Sequence, residues 1–395
     1  MTQLVSFPPS VRDRRDRRPA RTQLDAFPRD PVAKWILRGL FAIPFLLVAW
    51  AASYSPLDGT LITPNHALLQ HIASIDWNRA DVTWIGQISP PLSTLLAAAI
   101  PGGQFGLAVA GALIAGVFLQ KVLEIMVQRQ FHIGTTVILM LALAANPLFA
   151  YTATQNFAAF LGLAFFGLGI ADIVRFVAWG NTQSGFRAGL YLMLAVLSDL
   201  SGFLYVLTAA SAAPFLRLGR SHQRGARGSN VLVIVFPSAA AIGAIVALNW
   251  IFVGSPLGTV GARILAGTPG RFAGLGQVFA TPTGWLLLAS VASAWVIALI
   301  VRRPGSIIVS SLVFVAIMGA YTIGLLPPGS AGNTFLLMTL MAIALVPTRR
   351  ALSAIVAMDV VAVLQIVIAW ATAFNRDIVI QWMDTLLPVL NAFGH

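Results

Sequence analysis

RDRRDRRPARTQLDAFPRDPVAKWILRGLFAIPFLLVAWAASY, residues 12–54, passes from a run of arginines straight into an apolar stretch. The stretch from Trp35 to Tyr54 has the length of about 20 residues that a helix needs to cross a bilayer, and Arg38 is its only charge. No small-residue cleavage pattern follows it, so it reads as a retained first span and not as a secretory leader. Ahead of it, Arg12, Arg14, Arg15, Arg17, Arg18, Arg21 and Arg29 alternate with Asp13, Asp16, Asp25, Asp30 and several prolines. Such a segment cannot bury enough apolar surface to order itself. Residues 1–33 are therefore expected to be a disordered cytoplasmic tail that sets orientation by its positive charge and touches anionic headgroups.

The remainder of the chain is written in the same style. Of its 395 residues 58% are hydrophobic and only 10% charged, whereas soluble domains carry roughly a quarter charged residues. Lipid is the solvent such a composition suits. A formal net charge of +12 would suggest nucleic acid in a soluble protein. Here the placement of the charges excludes that partner, as the topology shows. The absence of cysteine removes disulfides, thiolate catalysis and cysteine metal ligands together. Arginine is preferred throughout, Lys34 and Lys121 being the only lysines, a bias that hints at a GC-rich bacterial genome.

Apolar runs near 35–54, 103–120, 133–150, 155–176, 188–198, 203–216, 230–253, 284–301, 305–325, 334–347 and 352–373 predict an all-α polytopic bundle of about eleven spans. With the N-terminus inside, the tail, Lys34, Arg38, Lys121, Arg129, Arg175, Arg187, Arg217, Arg220, Arg224, Arg227, Arg302, Arg303, Arg349 and Arg350 all fall on the inner side. Only Arg79, Arg263, Arg271 and Arg376 fall outside, which leaves 21 of the 25 basic residues inside, as the positive-inside rule requires. Topology thus accounts for the basic balance, and no nucleic acid is expected. Residues 34–374 form one membrane domain, 375–395 a short external segment, and the location is the inner (plasma) membrane.

One interval resists simple spanning. Arg187 and Arg217 both belong inside, yet the apolar residues between them are interrupted by Ser198-Asp199-Leu200-Ser201-Gly202. Two helices of about 11 and 14 residues reach roughly 16 and 21 Å, short of a core of roughly 30 Å. Short broken helices are expected here, with Asp199 at the floor of an outward cavity, an arrangement tolerated only where protein or water surrounds it.

The long outer segment Ser55–Pro101 holds His66, His71, Asp76, Trp77, Arg79, Asp81 and Trp84. A stretch of this length between spans is usually functional. Residues 66–75 suit a short amphipathic helix and 91–100 a helix too short to span, both lying in the outer interface. Asp172 with Arg175 and Lys121 with Glu124 are spaced as structural ion pairs on helices. Asp359, about six residues into the last span, is costly there and so a functional candidate, with bonding to a neighbouring helix as its ordinary use. His66 and His71 have no third ligand nearby, so no metal site is expected.

The layout of an N-in first span, a long acidic outer loop with interfacial helices, the sequence from Asp76-Trp-Asn-Arg-Ala-Asp81 to Ser89-Pro-Pro-Leu, and the Ser-Asp-Leu-Ser-Gly break resembles the GT-C superfamily of membrane glycosyltransferases. The Pro-Pro-Leu element is similar to the Tyr-Pro-Pro-Leu of bacterial polyprenyl-phosphate-sugar transferases, with Ser89 in place of the tyrosine. The resemblance implies a compact member that moves a sugar from a polyprenyl-phosphate donor to an envelope glycan or glycolipid at the outer face. Asp76 and Asp81 are then the candidate bases that take the acceptor's hydroxyl proton. Arg263 or Arg271 would then grip the donor phosphate, Asp199 would bind the acceptor, and Arg79 and His66 are further substrate-binding candidates. A divalent cation would be a further aid to the departing phosphate. Two other classes stay open: a transporter or lipid flippase, and a non-catalytic GT-C-like scaffold in an envelope assembly complex.

Overall fold

The computed structural model describes residues 27–54, 63–78, 87–128, 131–179, 182–212, 226–256, 271–273, 276, 280–300, 304–324, 352–373 and 377–393. Every described regular element is helical, and no strand occurs among the described residues. In chain order the helices are α1 (Pro31–Tyr54), α2 (Pro64–Ser74), α3 (Pro91–Ala99), α4 (Gly103–Gln128), α5 (Ile133–Ala144), α6 (Pro147–Gln155) and α7 (Phe157–Trp179). There follow α8 (Thr182–Ser198), α9 (Ser201–Ala212), α10 (Ala226–Val253), α11 (Pro282–Ile300), α12 (Pro304–Thr322), α13 (Leu352–Ala373) and α14 (Asp377–Phe393).

The starts of these helices follow from local chemistry. α1, α2, α3, α6, α11 and α12 open on proline, whose fixed φ suits the first turn and whose missing N–H costs nothing there. Polar side chains satisfy the exposed first-turn amides: Asp30 accepts from Val32 and Ala33, Thr63 from His66, and Asn146 from Leu148 and Phe149.

α1, α4 and the Val231–Val253 part of α10 are long and apolar enough to cross a membrane. α5 and α6 make a fourth such unit if counted together, bent by 51°. The bend departs from the expected straight span over 133–150, because Asn146 caps a new helix that Pro147 starts. A second joint, at Asn156, separates α6 from α7, so that the span expected over 155–176 appears as α7, and α6 runs on past the expected end of the preceding span at 150. The interruption expected at Asp199-Leu200 is present between α8 and α9. The predicted span over 334–347 lies outside the described residues. At the chain's two ends more is ordered than expected: α1 starts at Pro31, and residues 377–393 form α14. Residues 1–26 of the expected tail lie outside the described residues.

Lipid gives apolar helices no hydrophobic reason to associate, so close backbone approach and dispersion must hold them together. α4 supplies the surface for it, with Ala108, Gly111, Ala112, Ala115 and Gly116 buried along its length. A Cβ on Gly116 would run into the Arg38 carbonyl and Ala42 of α1, and one on Gly111 into the Ala153 carbonyl of α6. Around these contacts Phe149 meets Phe45 edge-on at 5.3 Å and Phe160 at 5.2 Å, joining α1, α6 and α7. α8 packs along α7, and α9 and α10 pack against α8.

Candidate functional site

Among the described residues, one end of the bundle collects Lys34, Arg38, Lys121, Arg175 and Arg187, which the sequence places on one side. Glu124 of α4, 1% exposed, receives Arg175 of α7 at 2.5 Å, Lys121 at 2.7 Å and Lys34 of α1 at 3.5 Å. Asp172 of α7 receives Arg175 at 3.1 Å and Arg187 of α8, whose guanidinium grips it through Nε and Nη2. Gln120 adds α1 and the chain ahead of it, accepting from Arg38 Nε at 3.2 Å and donating to the Phe27 carbonyl at 2.7 Å. The two pairs read from the sequence as separate are thus one network over α1, α4, α7 and α8. A buried carboxylate is tolerated only with such partners, so the network fixes the depth of four helices relative to one another.

The opposite end is built by α2 and α3. α2 packs on the N-terminal part of α4, and from Gly103 to Glu124 the α4 axis runs about 30 Å. Leu68, Leu69, Ile72 and Leu92 rest on a small core of Ala97, Leu107, Phe157 and Leu161. The fastening is Asn65, 1% exposed, which donates to the Thr154 carbonyl at 3.0 Å and accepts from the Phe157 N–H at 2.7 Å. It thereby satisfies backbone groups that the α6–α7 joint releases. His66 is half-buried, with Gln104 of α4 at 2.6 Å from Nδ1 and Gln70 at 2.8 Å from Nε2, so both ring nitrogens are engaged within the protein. His71 Nε2 donates to the Gln87 carbonyl at 2.9 Å, tying α2 to the chain before α3, where the Ser89–Pro90 peptide is cis.

Asp76 stands just past α2, exposed, its carboxylate accepting the Asn78 N–H at 3.2 Å. Beside it, Trp77 is 37% exposed and donates to the Ile72 carbonyl at 3.4 Å. Among the described residues no cation pairs with Asp76, so its carboxylate stands at the surface of a fixed platform in a position a proton acceptor needs. Arg79, Asp81 and Arg263 lie outside the described residues.

Asp199 is 8% exposed in the α8–α9 break, where it accepts from the Ser201 N–H at 3.0 Å and, more tightly, from the Ser201 hydroxyl. It caps α9, and no cation pairs with it among the described residues. On α8 it lies about 18 Å along the axis from Arg187, well inside the bundle. No bond joins it to Asp76. Arg271 sits against Gly324, at the end of α12, where a Cβ would collide with its guanidinium. The left-handed φ of 73° at Gly324 allows that approach. Helix ends of this polarity attract cations. Asp359 Oδ1 is buried without a partner.

Two features were invisible in the sequence: the clasp by Asn65, and a pair at the same end in which Tyr151 of α6 meets Trp382 of α14 edge-on at 5.4 Å. Amphipathic periodicity in residues 377–393 was the available signal for the second. Among the described residues no group of three His, Asp or Glu is placed to hold a metal. Comparison of the chain with protein-family models, with curated proteins and with solved structures finds no match in any of the three.

Proposed function

We propose that the protein is a GT-C-type glycosyltransferase of a bacterial plasma membrane, crossing it about eleven times with its N-terminus inside. It moves a sugar from a polyprenyl-phosphate donor to an envelope glycan or glycolipid at the outer face. The observation that carries this reading is the platform of α2 and α3: two helices too short to span, locked by Asn65 and His66, with the Asp76 carboxylate exposed just past α2 and paired with no cation among the described residues. In it Asp76, or Asp81 a few residues on, accepts the hydroxyl proton as the acceptor attacks the anomeric carbon. Arg79, Arg263 and Arg271 neutralise the leaving lipid phosphate, and Asp199 orients the acceptor from below. His66 has both nitrogens occupied and serves by holding the platform.

The test is transfer of labelled sugar from a polyprenyl-phosphate donor in vesicles containing wild type, Asp76→Asn or Asp81→Asn at matched protein levels. Loss of transfer in one of the two is expected. Full activity in both rejects the assignment of the base. A second reading, a transporter or lipid flippase, draws support from Asp199, a carboxylate without a cation partner in a helix break deep in the bundle. Substrate accumulation in sealed vesicles, abolished by Asp199→Asn while no transfer product forms, would select it.

A further inference from the structure

Lys34 and Arg38 stand one turn apart on α1, at the border between its packed and its outward faces. On the packed side Ala42, Phe45 and Ala49 are buried. On the outward side Val32, Trp35, Ile36, Leu40, Ile43 and Leu47 form a continuous apolar stripe that no described helix covers, each 48% exposed or more. The stripe runs away from the cation pair along the helix, in the direction an acyl chain takes from its headgroup.

The two cations have capacity to spare. Among the described residues the Lys34 ammonium has one acceptor, Glu124 at 3.5 Å, and that carboxylate is held more closely by Lys121 and Arg175. Arg38 spends Nε on Gln120 and lies over the Trp35 ring at 4.5 Å, which leaves both terminal nitrogens without an acceptor among the described residues. Among the described residues at this end, Arg29, Lys34, Arg38, Lys121, Arg175 and Arg187 outnumber three carboxylates, Glu124, Asp172 and Asp30, and Asp30 is taken up by the first-turn amides of α1. The planar fork of an arginine matches phosphate oxygens, and a lysine one turn away adds a mobile charge. Trp35, 65% exposed, is of the residue type that settles at headgroup depth.

We propose that Lys34 and Arg38 form a binding site for one anionic phospholipid, the phosphate held between them and an acyl chain lying on the Val32–Leu47 stripe. The site is at the opposite end of the bundle from Asp76 and stands or falls independently of the transferase reading. A free phosphate would use the cations alone; the stripe beginning beside them is what assigns the site to a lipid.

The experiment is native mass spectrometry of the purified full chain in detergent, titrated with dioleoylphosphatidylglycerol, with dioleoylphosphatidylcholine, or with the glycerol lipid in the presence of inorganic phosphate. Wild type is expected to retain one phosphatidylglycerol, to discriminate against phosphatidylcholine, and to be indifferent to millimolar phosphate. Each surface cation contributes enough that Arg38→Gln should weaken retention about fivefold, and the Lys34→Gln/Arg38→Gln double variant roughly thirtyfold. Arg38→Gln leaves every ion pair of the network intact and so reports on the lipid even if the double variant folds poorly. Equal retention of the two lipids, competition by inorganic phosphate, or unchanged retention in Arg38→Gln would each overturn the proposal.

Discussion

Asn65 and Phe157 are joined across 92 residues of sequence, the amide oxygen of one accepting the backbone N–H of the other at 2.7 Å in a buried position. Because Asn65 also donates to the Thr154 carbonyl, a single side chain closes the joint between α6 and α7 and anchors the platform that carries Asp76.

Removing that side chain strands two buried backbone groups. Asn65→Ala is expected to destabilise the protein by about 2–4 kcal/mol, and Asn65→Asp by at least as much, since its carboxylate cannot donate to the Thr154 carbonyl and buries a charge without a partner. Thermal unfolding in detergent measures both.

Glu124 should be the most sensitive charge in the chain. Its replacement by alanine leaves Lys34, Lys121 and Arg175 facing one another around a buried vacancy, an effect of about 3–5 kcal/mol. A double-mutant cycle with Arg175→Met should show a smaller loss than the two single changes added together, because the second change removes a stranded charge. Strict additivity would mean that the two residues do not interact.

The glycines divide sharply. Gly116→Ala drives a methyl into the Arg38 carbonyl and Ala42, and Gly111→Ala another into the Ala153 carbonyl, so each should cost about 1–3 kcal/mol. Gly39→Ala meets nothing within 4 Å and sits inside α1, so it should be neutral or stabilising. Unfolding midpoints of the three variants, measured side by side, check the expected order.

Asp76→Asn separates chemistry from folding. The side chain is exposed and accepts a single backbone N–H, which an asparagine oxygen also accepts, so stability should change by less than about 0.5 kcal/mol. An activity loss in this variant then belongs to the carboxylate's charge. A lowered melting point would show instead that the turn depends on it.

Shortening the chain before Asp377 removes α14 and uncovers Tyr151, which is otherwise fully buried against Trp382. The truncated protein should unfold at a lower temperature and expose the Tyr151 region to hydrogen exchange. Trp382→Ala is expected to reproduce part of the effect, on the order of 3 kcal/mol.

The helical nature of the chain, the shared end of the described cations Lys34, Arg38, Lys121, Arg175 and Arg187, and the break at Asp199 were legible in the sequence. Each depends on a property that adjacent residues share: long apolar runs, the distribution of arginine between them, and a polar Ser-Asp-Leu-Ser interruption too hydrophilic to remain within a helix in lipid. The joint at Asn146 was missed, and the one at Asn156 was placed only as a gap between spans ending at 150 and starting at 155, because an asparagine in an apolar run is locally ambiguous. It becomes a cap only when the next helix turns away and a partner such as Asn65 takes up the released backbone groups.

The same division holds for the candidate sites. Asp76, Arg271, Asp199 and His66 could be singled out from sidedness and spacing alone, but what each one touches is a long-range fact. His66 is occupied because α2 lies against Gln104, and Asp199 is buried because α7 closes over it at Gly162. The two ion pairs of α4 and α7 look local at a spacing of three residues, and only the packing of four helices makes them one network. Hydropathy and charge act through the solvent, one residue at a time, so the sequence by itself determined a helical membrane protein with a basic end. Hydrogen bonds and salt bridges need partners at about 3 Å, and which residues come that close was decided only when the helices packed.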